Sequence, residues 1–569
     1  LLVGCDQPQP TTRISLSNGQ GGWQDLPPLP SAAHSLADLD GDGKLDLVAI
    51  GPEGYGRLMN QGGEADYHYQ VLLPRGLEIP AAPPEQGGVV QSGDQRINSF
   101  GLGGLVSIRA GLLTQTRLID GPALHFGLGK RQGVETAHIH WPNGLPQGEF
   151  DLAADKAVTA TQRLKGSCPW LFADNGTAIA FVTDILWKSP LGLRINAVDT
   201  AGVVQTEDWV KVRGDQLAAR DGFYDLRITA ELWETHFFDQ VGLMVVDHPA
   251  GSEVFVDERF SIPPPPLAVQ ATSPLLPVDL ALDQDGQDVS DRVAARDEVY
   301  LDSFDLGAYQ GIAEDHWVEL ELGEAAAAML AQPATDAVAG GAMEAPALAL
   351  YATGFIYPTD SSINVAIGQG KAAAPQDLSI EVPDGQGGWT AAKTRLGFPA
   401  GKQKSLLIPL ADLDPAGAAA PQRLRLRTNL EVYWDQLALT TVDAAPSEDR
   451  LRSQRLAPHS AELRYRGISV TSHIGDDPAP HSRPEIPDYN RVNSTVPWLN
   501  LEGFYTRFGD VKPLLEQVDD RYVILNAGDE ILLRFAAPAD PPAGWVRDFV
   551  FISDGWEKDG DVNTAYGAV

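Results

Sequence analysis

Four aspartates stand close together in the stretch Asp38-Leu39-Asp40-Gly41-Asp42-Gly43-Lys44-Leu45-Asp46. Carboxylates at alternate positions of a tight glycine-rich loop converge on one point. Hard oxygen donors about 2.3–2.6 Å from a common centre are what a calcium ion requires. The pattern predicts a structural calcium, with Asp38, Asp40, Asp42 and Asp46 as side-chain ligands and Lys44 giving its backbone carbonyl. A helix–loop–helix calcium hand would need a bidentate Glu at the twelfth position, where Ala49 stands, and flanking helices. Here Leu36 precedes the loop and Leu47-Val48-Ala49-Ile50 follows it as a short buried strand, so the loop sits between strands. The plain alternative is a solvated Asp-Gly turn, which the five-position agreement and the strand context disfavour. Two weaker acidic stretches, Asp283, Asp285 and Asp288 around Gly286, and Asp559, Asp561 and Asn563, read as such turns.

Other chemistry is sparse. There is no Gly-x-Ser-x-Gly elbow, no His-Glu-x-x-His, no P-loop and no complete Gly-x-Gly-x-x-Gly, so no catalytic residue is assigned and the chain reads as a non-enzyme. A glycosidase carboxylate pair leaves no local signature and stays open as an alternative. Glu231, Glu234, His236 and Asp239 lie close in sequence and read as a polar strand edge beside an aromatic core of Trp233, Phe237 and Phe238. His138 and His140 alternate on one strand face, but neither they nor His125 have a third metal ligand in view, so all three read as structural. A formal charge of −35, from 42 basic and 77 acidic residues, argues against a nucleic-acid partner. The two cysteines, Cys5 and Cys168, exclude a disulfide scaffold and a Cys-rich zinc site. No apolar run reaches the length of about 18 residues that a membrane-spanning helix needs.

The elements around these residues are short. With 57 Gly and 42 Pro, and apolar residues in brief runs, the composition predicts an all-β, multidomain chain. The expected divisions are a partial β-propeller at 1–75, a β module at 94–165, a β-sandwich-like module at 166–262, a Pro-rich linker at 263–298, a second sandwich at 299–445 and a C-terminal β-rich module at 446–569. Leu2-Val3-Gly4-Cys5 resembles a lipoprotein lipobox. The run Leu1-Leu2-Val3-Gly4 followed by Arg13, Asn18 and Gly21-Gly22 matches Leu47 to Gly51 followed by Arg57, Asn60 and Gly62-Gly63 better, as a repeat missing its Asp-rich head. A second echo joins the two sandwich regions. Phe238-Asp239-Gln240-Val241-Gly242-Leu243 with Val246-Asp247 parallels Trp434-Asp435-Gln436-Leu437-Ala438-Leu439 with Val442-Asp443. These strands are expected at equivalent places of two similar sandwiches.

The Asp-rich run between strands resembles an FG-GAP/VCBS repeat, the blade unit of integrin-like β-propellers. Gly101-Leu102-Gly103-Gly104 before Val106-Ser107-Ile108-Arg109, Leu124-His125-Phe126-Gly127-Leu128-Gly129 and His140-Trp141-Pro142-Asn143-Gly144 resemble the ASPIC/UnbV module, which follows such repeats in cartilage acidic protein and large bacterial proteins. Motifs further on, including Cys168-Pro169-Trp170, Glu314-Asp315-His316-Trp317 and Ser553-Asp554-Gly555-Trp556, are similar to regions that follow that module. The resemblance implies a secreted or cell-envelope protein truncated at both ends, with no catalytic chemistry to carry over. The function expected is extracellular binding, adhesion or scaffolding with structural calcium, toward a protein or glycan ligand. The alternatives are carbohydrate binding through the sandwich modules, with Trp389 or Trp434 exposed to stack on sugars, and a hydrolase with an unrecognised carboxylate pair.

Overall fold

The computed structural model describes residues 2–558 except 6–10, 18–21, 52, 63–66, 77, 81–89, 93–96, 143, 145, 163–167, 197, 201–204, 232–234, 324–346, 411–412, 414–421, 443–447, 473–483, 485 and 494–504. The chain is nearly all β, as its composition predicts. It separates into two compact units. One comprises 1–76, 98–142 and 146–162, and the other holds the remainder.

The first unit opens with two three-stranded antiparallel sheets. One contains β1 (Leu2–Cys5), β2 (Thr11–Ser17) and β3 (Trp23–Asp25). The other contains β4 (Ala32–Ala37), β5 (Asp46–Gly51) and β6 (Gly54–Leu58). The first residues thus form a strand, as the repeat reading expects, but β1 pairs with β2 and lies against β4 rather than joining β5. Next comes β7 (His68–Arg75), then β8 (Leu105–Ala110), β9 (Leu113–Leu118), β10 (Leu124–Gly129), β11 (Gly133–His140), β12 (Pro146–Ala153) and β13 (Lys156–Thr161). One sheet runs β9-β8-β11-β12 and the other β10-β7-β13, with β13 parallel to β7. The expected break near residue 75 therefore falls on the wrong side of β7. Its partners lie about 50 and 85 residues further on, and strand periodicity carries no record of so distant a pairing.

The second unit contains two sandwiches. Sandwich one starts with β14 (Trp170–Asp174), β15 (Ile179–Asp184), β16 (Glu207–Val212), β17 (Phe223–Thr229) and β18 (Thr235–Pro249). In β17, Tyr224, Leu226 and Ile228 point inward and alternate with Asp225 and Arg227, the period of a strand with one face buried. Sandwich two follows with β19 (Glu253–Phe255), β20 (Gln270–Thr272), β21 (Leu276–Pro277), β22 (Leu280–Leu282), β23 (Ile312–Glu321), β24 (Ala347–Ile356), β25 (Ser379–Pro383), β26 (Trp389–Lys393), β27 (Lys404–Pro409), β28 (Arg423–Leu430) and β29 (Val432–Val442). The chain then returns to sandwich one with β30 (Arg452–Leu456) and β31 (Ser460–Tyr465). After the hairpin β32 (Ile468–Ser472) and β33 (Ile486–Asn493) come β34 (Gly509–Asp510), β35 (Val523–Leu525), β36 (Asp529–Ala536) and β37 (Trp545–Lys558).

Two of the expected divisions are corrected by this pairing. The 166–262 and 446–569 regions are one sandwich. β18 pairs with β37 over almost its full length, and one core joins Leu171, Leu226 and Phe238 to Leu463, Phe535 and Phe551. The 263–298 region is no spacer, because β20 and β21 pair with β29, β22 pairs with β23, and Ala271 and Ala281 are buried.

The two sandwiches share one pairing scheme. Sheets β15-β14-β17-β36-β31-β34 and β16-β37-β18-β30 in sandwich one match β26-β25-β28-β23-β22 and β27-β24-β29-β20 in sandwich two. Chain order differs. Sandwich two runs continuously from β22 to β29, whereas sandwich one takes the equivalent strands from its C-terminal part first, a circular permutation that leaves sandwich two inserted between β18 and β30. Local detail agrees. Asp239 accepts from the Asp519 and Asp520 amides, and Asp435 accepts from the Asp297 and Glu298 amides. Asp520 and Glu298 both adopt positive φ, 64° and 65°. Gly555 and Gly354 each lie where a Cβ would come within 2.2 Å of a carbonyl on the paired strand, Phe237 and Tyr433 respectively. The strands carrying Asp247 and Val442 occupy equivalent places, as the sequence echo anticipates. Asp443 itself lies outside the described residues.

Candidate metal centre

The acidic loop joins β4 to β5. Gly41 and Gly43 take positive φ (78° and 81°), the left-handed turns that let the chain double back and bring alternate side chains to one side. Asp38 accepts from the Gly41 amide at 2.8 Å and the Gly43 amide at 2.9 Å, Asp40 from the Asp42 amide, and Asp42 from the Lys44 amide. Asp38, Asp40 and Asp42 each place one carboxylate oxygen so that all three lie within 4.8 Å of one another. Two oxygens on opposite sides of one calcium ion stand about 4.8 Å apart, so the trio fits around a single ion.

Asp46 is not part of this group. It is 1% exposed, and its two oxygens accept from the Leu39 and Asn60 amides at 2.9 and 2.7 Å. It ties the loop to the chain beyond β6, keeping one further lone pair on each oxygen. The Lys44 ammonium pairs with Asp42. That hydrogen bond holds the Asp42 carboxyl below its usual range and raises Lys44. A cation thus already sits against the cluster, where unrelieved carboxylates would repel one another.

Two residues distant in sequence clamp the loop. The His125 Nε2 lies 2.5 Å from the Gly43 carbonyl, and its ring stacks on Tyr69 at 5.4 Å and 14°. A Cβ on Gly43 would fall 1.8 Å from the Tyr69 ring, so the backbone passes directly beneath it. Burial, followed by the charges of Asp155, Asp38 and Asp42, pushes the Tyr69 hydroxyl up. Tyr69 comes from β7 and His125 from β10, so the loop is seated on the sheet β10-β7-β13. Sequence reasoning singled out His125 only as structural and missed Tyr69. No spacing rule links positions 43, 69 and 125.

The other sequence candidates separate. The rings of His138 and His140 meet edge to face at 4.4 Å, and burial lowers both, His138 to about 3, so the pair is neutral near pH 7. Among the described residues they join no third ligand. Asp283 accepts from the Asp285 and Gln287 amides and Asp288 from that of Ser290, the hydrogen bonds of turns. Asp559, Asp561 and Asn563 lie outside the described residues, as do Trp233 and Glu234. Glu231 is buried against Thr229, Ser469 and Arg466, and His236 is fully buried. Trp434 is 4% exposed in the core of sandwich two, which corrects the expectation of an exposed ring. Trp389 is half-buried with the Arg425 guanidinium 4.1 Å from its ring centre, and Trp317 has the same guanidinium at 4.7 Å.

A family profile described as ASPIC and UnbV matches residues 93–166. No curated protein and no solved structure matches the chain. Residues 93–166 form an ASPIC/UnbV module, whose second sheet takes its central strand, β7, from outside the matched interval.

Proposed function

We propose that this chain is an extracellular or cell-envelope binding and scaffolding protein, without catalytic activity, whose Asp-rich loop carries structural calcium. The convergence of Asp38, Asp40 and Asp42 supports the metal. Asp38, Asp40 and Asp42 would ligate the ion directly, with the Lys44 carbonyl adding to the oxygen set and Asp46 bracing the loop through the Leu39 and Asn60 amides. The ion would supply further positive charge to a cluster against which the Lys44 ammonium already lies. The two small antiparallel sheets around the loop are compatible with FG-GAP/VCBS-type propeller blades, and their place just before an ASPIC/UnbV module supports the wider relationship. No helix among the described residues is long and apolar enough to cross a membrane.

Calcium binds the folded loop far better than the unfolded chain, so it should stabilise the unit by mass action, about 2.7 kcal/mol at a hundredfold excess over Kd. Calorimetry of the chain with calcium and with chelator should show the transition of the acidic-loop unit moving to lower temperature on chelation, while the sandwiches hold theirs. Asp42→Ala should abolish most of that difference. Identical traces with and without chelator would reduce the loop to a solvated turn.

A further inference from the structure

A cleft of about 940 Å³ opens in the second unit between the two sandwiches. Its size and its place between packed domains are those of a small-molecule site. One wall is β15, the terminal strand of its sheet, which presents the half-exposed Phe181 and Ile179. The β16–β17 turn contributes Arg213, whose Nε and Nη2 donate to Asp215 at 2.9 and 3.0 Å. Sandwich two contributes Arg296 and Glu298 from the loop that Asp435 anchors. The Asp435 brace fixes the backbone from which these two side chains reach the cleft.

We infer that this cleft binds a neutral glycan. The inference rests on reading the chain as a binding protein and names its ligand class. Guanidinium and carboxylate groups stand together in the lining, so a ligand must both accept and donate. A sugar hydroxyl does both, and adjacent hydroxyls match the planar forks of Arg and Asp. The apolar wall suits the C–H faces of a pyranose ring. Charge selects against an anionic ligand: Asp215, Glu298 and Asp488 outnumber Arg213 and Arg296, within a chain of net charge −35. The competing occupant is an extended peptide added to the edge of β15, which β33 already approaches. The ladder between β14 and β15 is broken by a bulge between Phe181 and Thr183, which shortens the regular edge, and bulges of this kind discourage added strands.

The test is electrophoresis of the full chain through native gels cast separately with galactomannan, xyloglucan, soluble starch, laminarin and polygalacturonate. At least one neutral polymer should retard the wild-type protein. Arg296→Ala and Phe181→Ala should each weaken the apparent association at least tenfold, while Arg425→Ala, on the outer face of sandwich two, should leave it unchanged. Thermal unfolding identifies any variant that fails to fold. Arg296 is half-exposed, so its substitution keeps the test decisive if Phe181→Ala does not fold. The inference fails if no neutral polymer retards the protein, if polygalacturonate alone does, or if folded Arg296→Ala behaves as wild type. Binding of reduced, carboxymethylated lactalbumin without glycan retardation would assign the cleft to strand addition and overturn it as well. A chain that binds calcium and no neutral glycan would keep the functional reading and lose this one.

Discussion

At the scale of single residues, the acidic loop already holds an internal cation with which the proposed calcium would have to compete. Lys44 reaches Asp42 with its ammonium while its own amide donates to the same carboxylate. Only the backbone of Lys44 is expected to serve calcium, so its side chain is a competitor. Lys44→Gln keeps the amide and the carbonyl and removes the competing charge. Calcium affinity measured by titration calorimetry should rise, by up to about fivefold given the modest strength of exposed ion pairs. A fall in affinity would mean that the ammonium helps to hold the loop in its binding conformation. The aspartates were legible in the sequence because their geometry is local, with alternate positions and two glycines in nine residues. The clamp of Tyr69 and His125 was not, because it depends on β7 and β10 becoming neighbours across 50 residues of chain.

At the scale of elements, the junction of β28 and β29 stores buried acid. Glu431, between the two strands, accepts from the Gly311 amide at 2.8 Å and the Tyr433 hydroxyl at 3.0 Å. Burial outweighs both bonds and pushes its carboxyl from an ordinary 4.5 up to about 7. Asp435, Asp257 and Asp529 are pushed in the same direction, each to about 6. The folded state therefore keeps protons that the unfolded chain has released. Stability is full below the ordinary carboxylate pKa, falls as pH rises through the window from about 4 to 7, and is level above it. For Glu431 alone the loss is roughly 3 kcal/mol. The denaturant midpoint of the sandwiches should be lower at pH 8 than at pH 5, and Glu431→Gln should remove part of the difference. A midpoint that rises between pH 5 and pH 8 would show that Glu431 is ionised in the fold. The strands on either side of this junction were readable from their alternation, and so was their likeness to β17 and β18. Their sheet partners were not, because the same alternation fits any neighbour that offers an apolar face.

At the scale of the whole molecule, an inserted sandwich needs a seam to fix it to its host, and this one is charged. Glu258, 4% exposed just beyond β19, accepts from the Lys211 amide of sandwich one at 3.0 Å and from the Ser405 amide of sandwich two at 2.7 Å. Lys404, 1% exposed on β27, donates to the Asp184 carbonyl of β15 at 2.5 Å, and Asp184 in turn accepts from the Lys402 amide and the Trp187 indole. Apolar contacts alone would let two β surfaces slide. Buried polar groups tolerate only the arrangement in which each finds its partner, because an unpaired one costs its full desolvation. The seam should therefore make the two sandwiches unfold together, as a single calorimetric transition in the full chain beside that of the acidic-loop unit. Glu258→Ala leaves the buried Lys211 and Ser405 amides without an acceptor, while the Lys404 ammonium keeps the Asp184 carboxylate at 3.8 Å, so the cost is about 1–3 kcal/mol for each orphaned amide. Two sandwich transitions should then replace one, and Glu258→Gln, which keeps an acceptor of the same shape, should fall between. If the single transition survives Glu258→Ala at the wild-type temperature, the coupling lies in the apolar contacts of Val254 and Val256 with Val246, Val550 and Ile552 rather than in the charges.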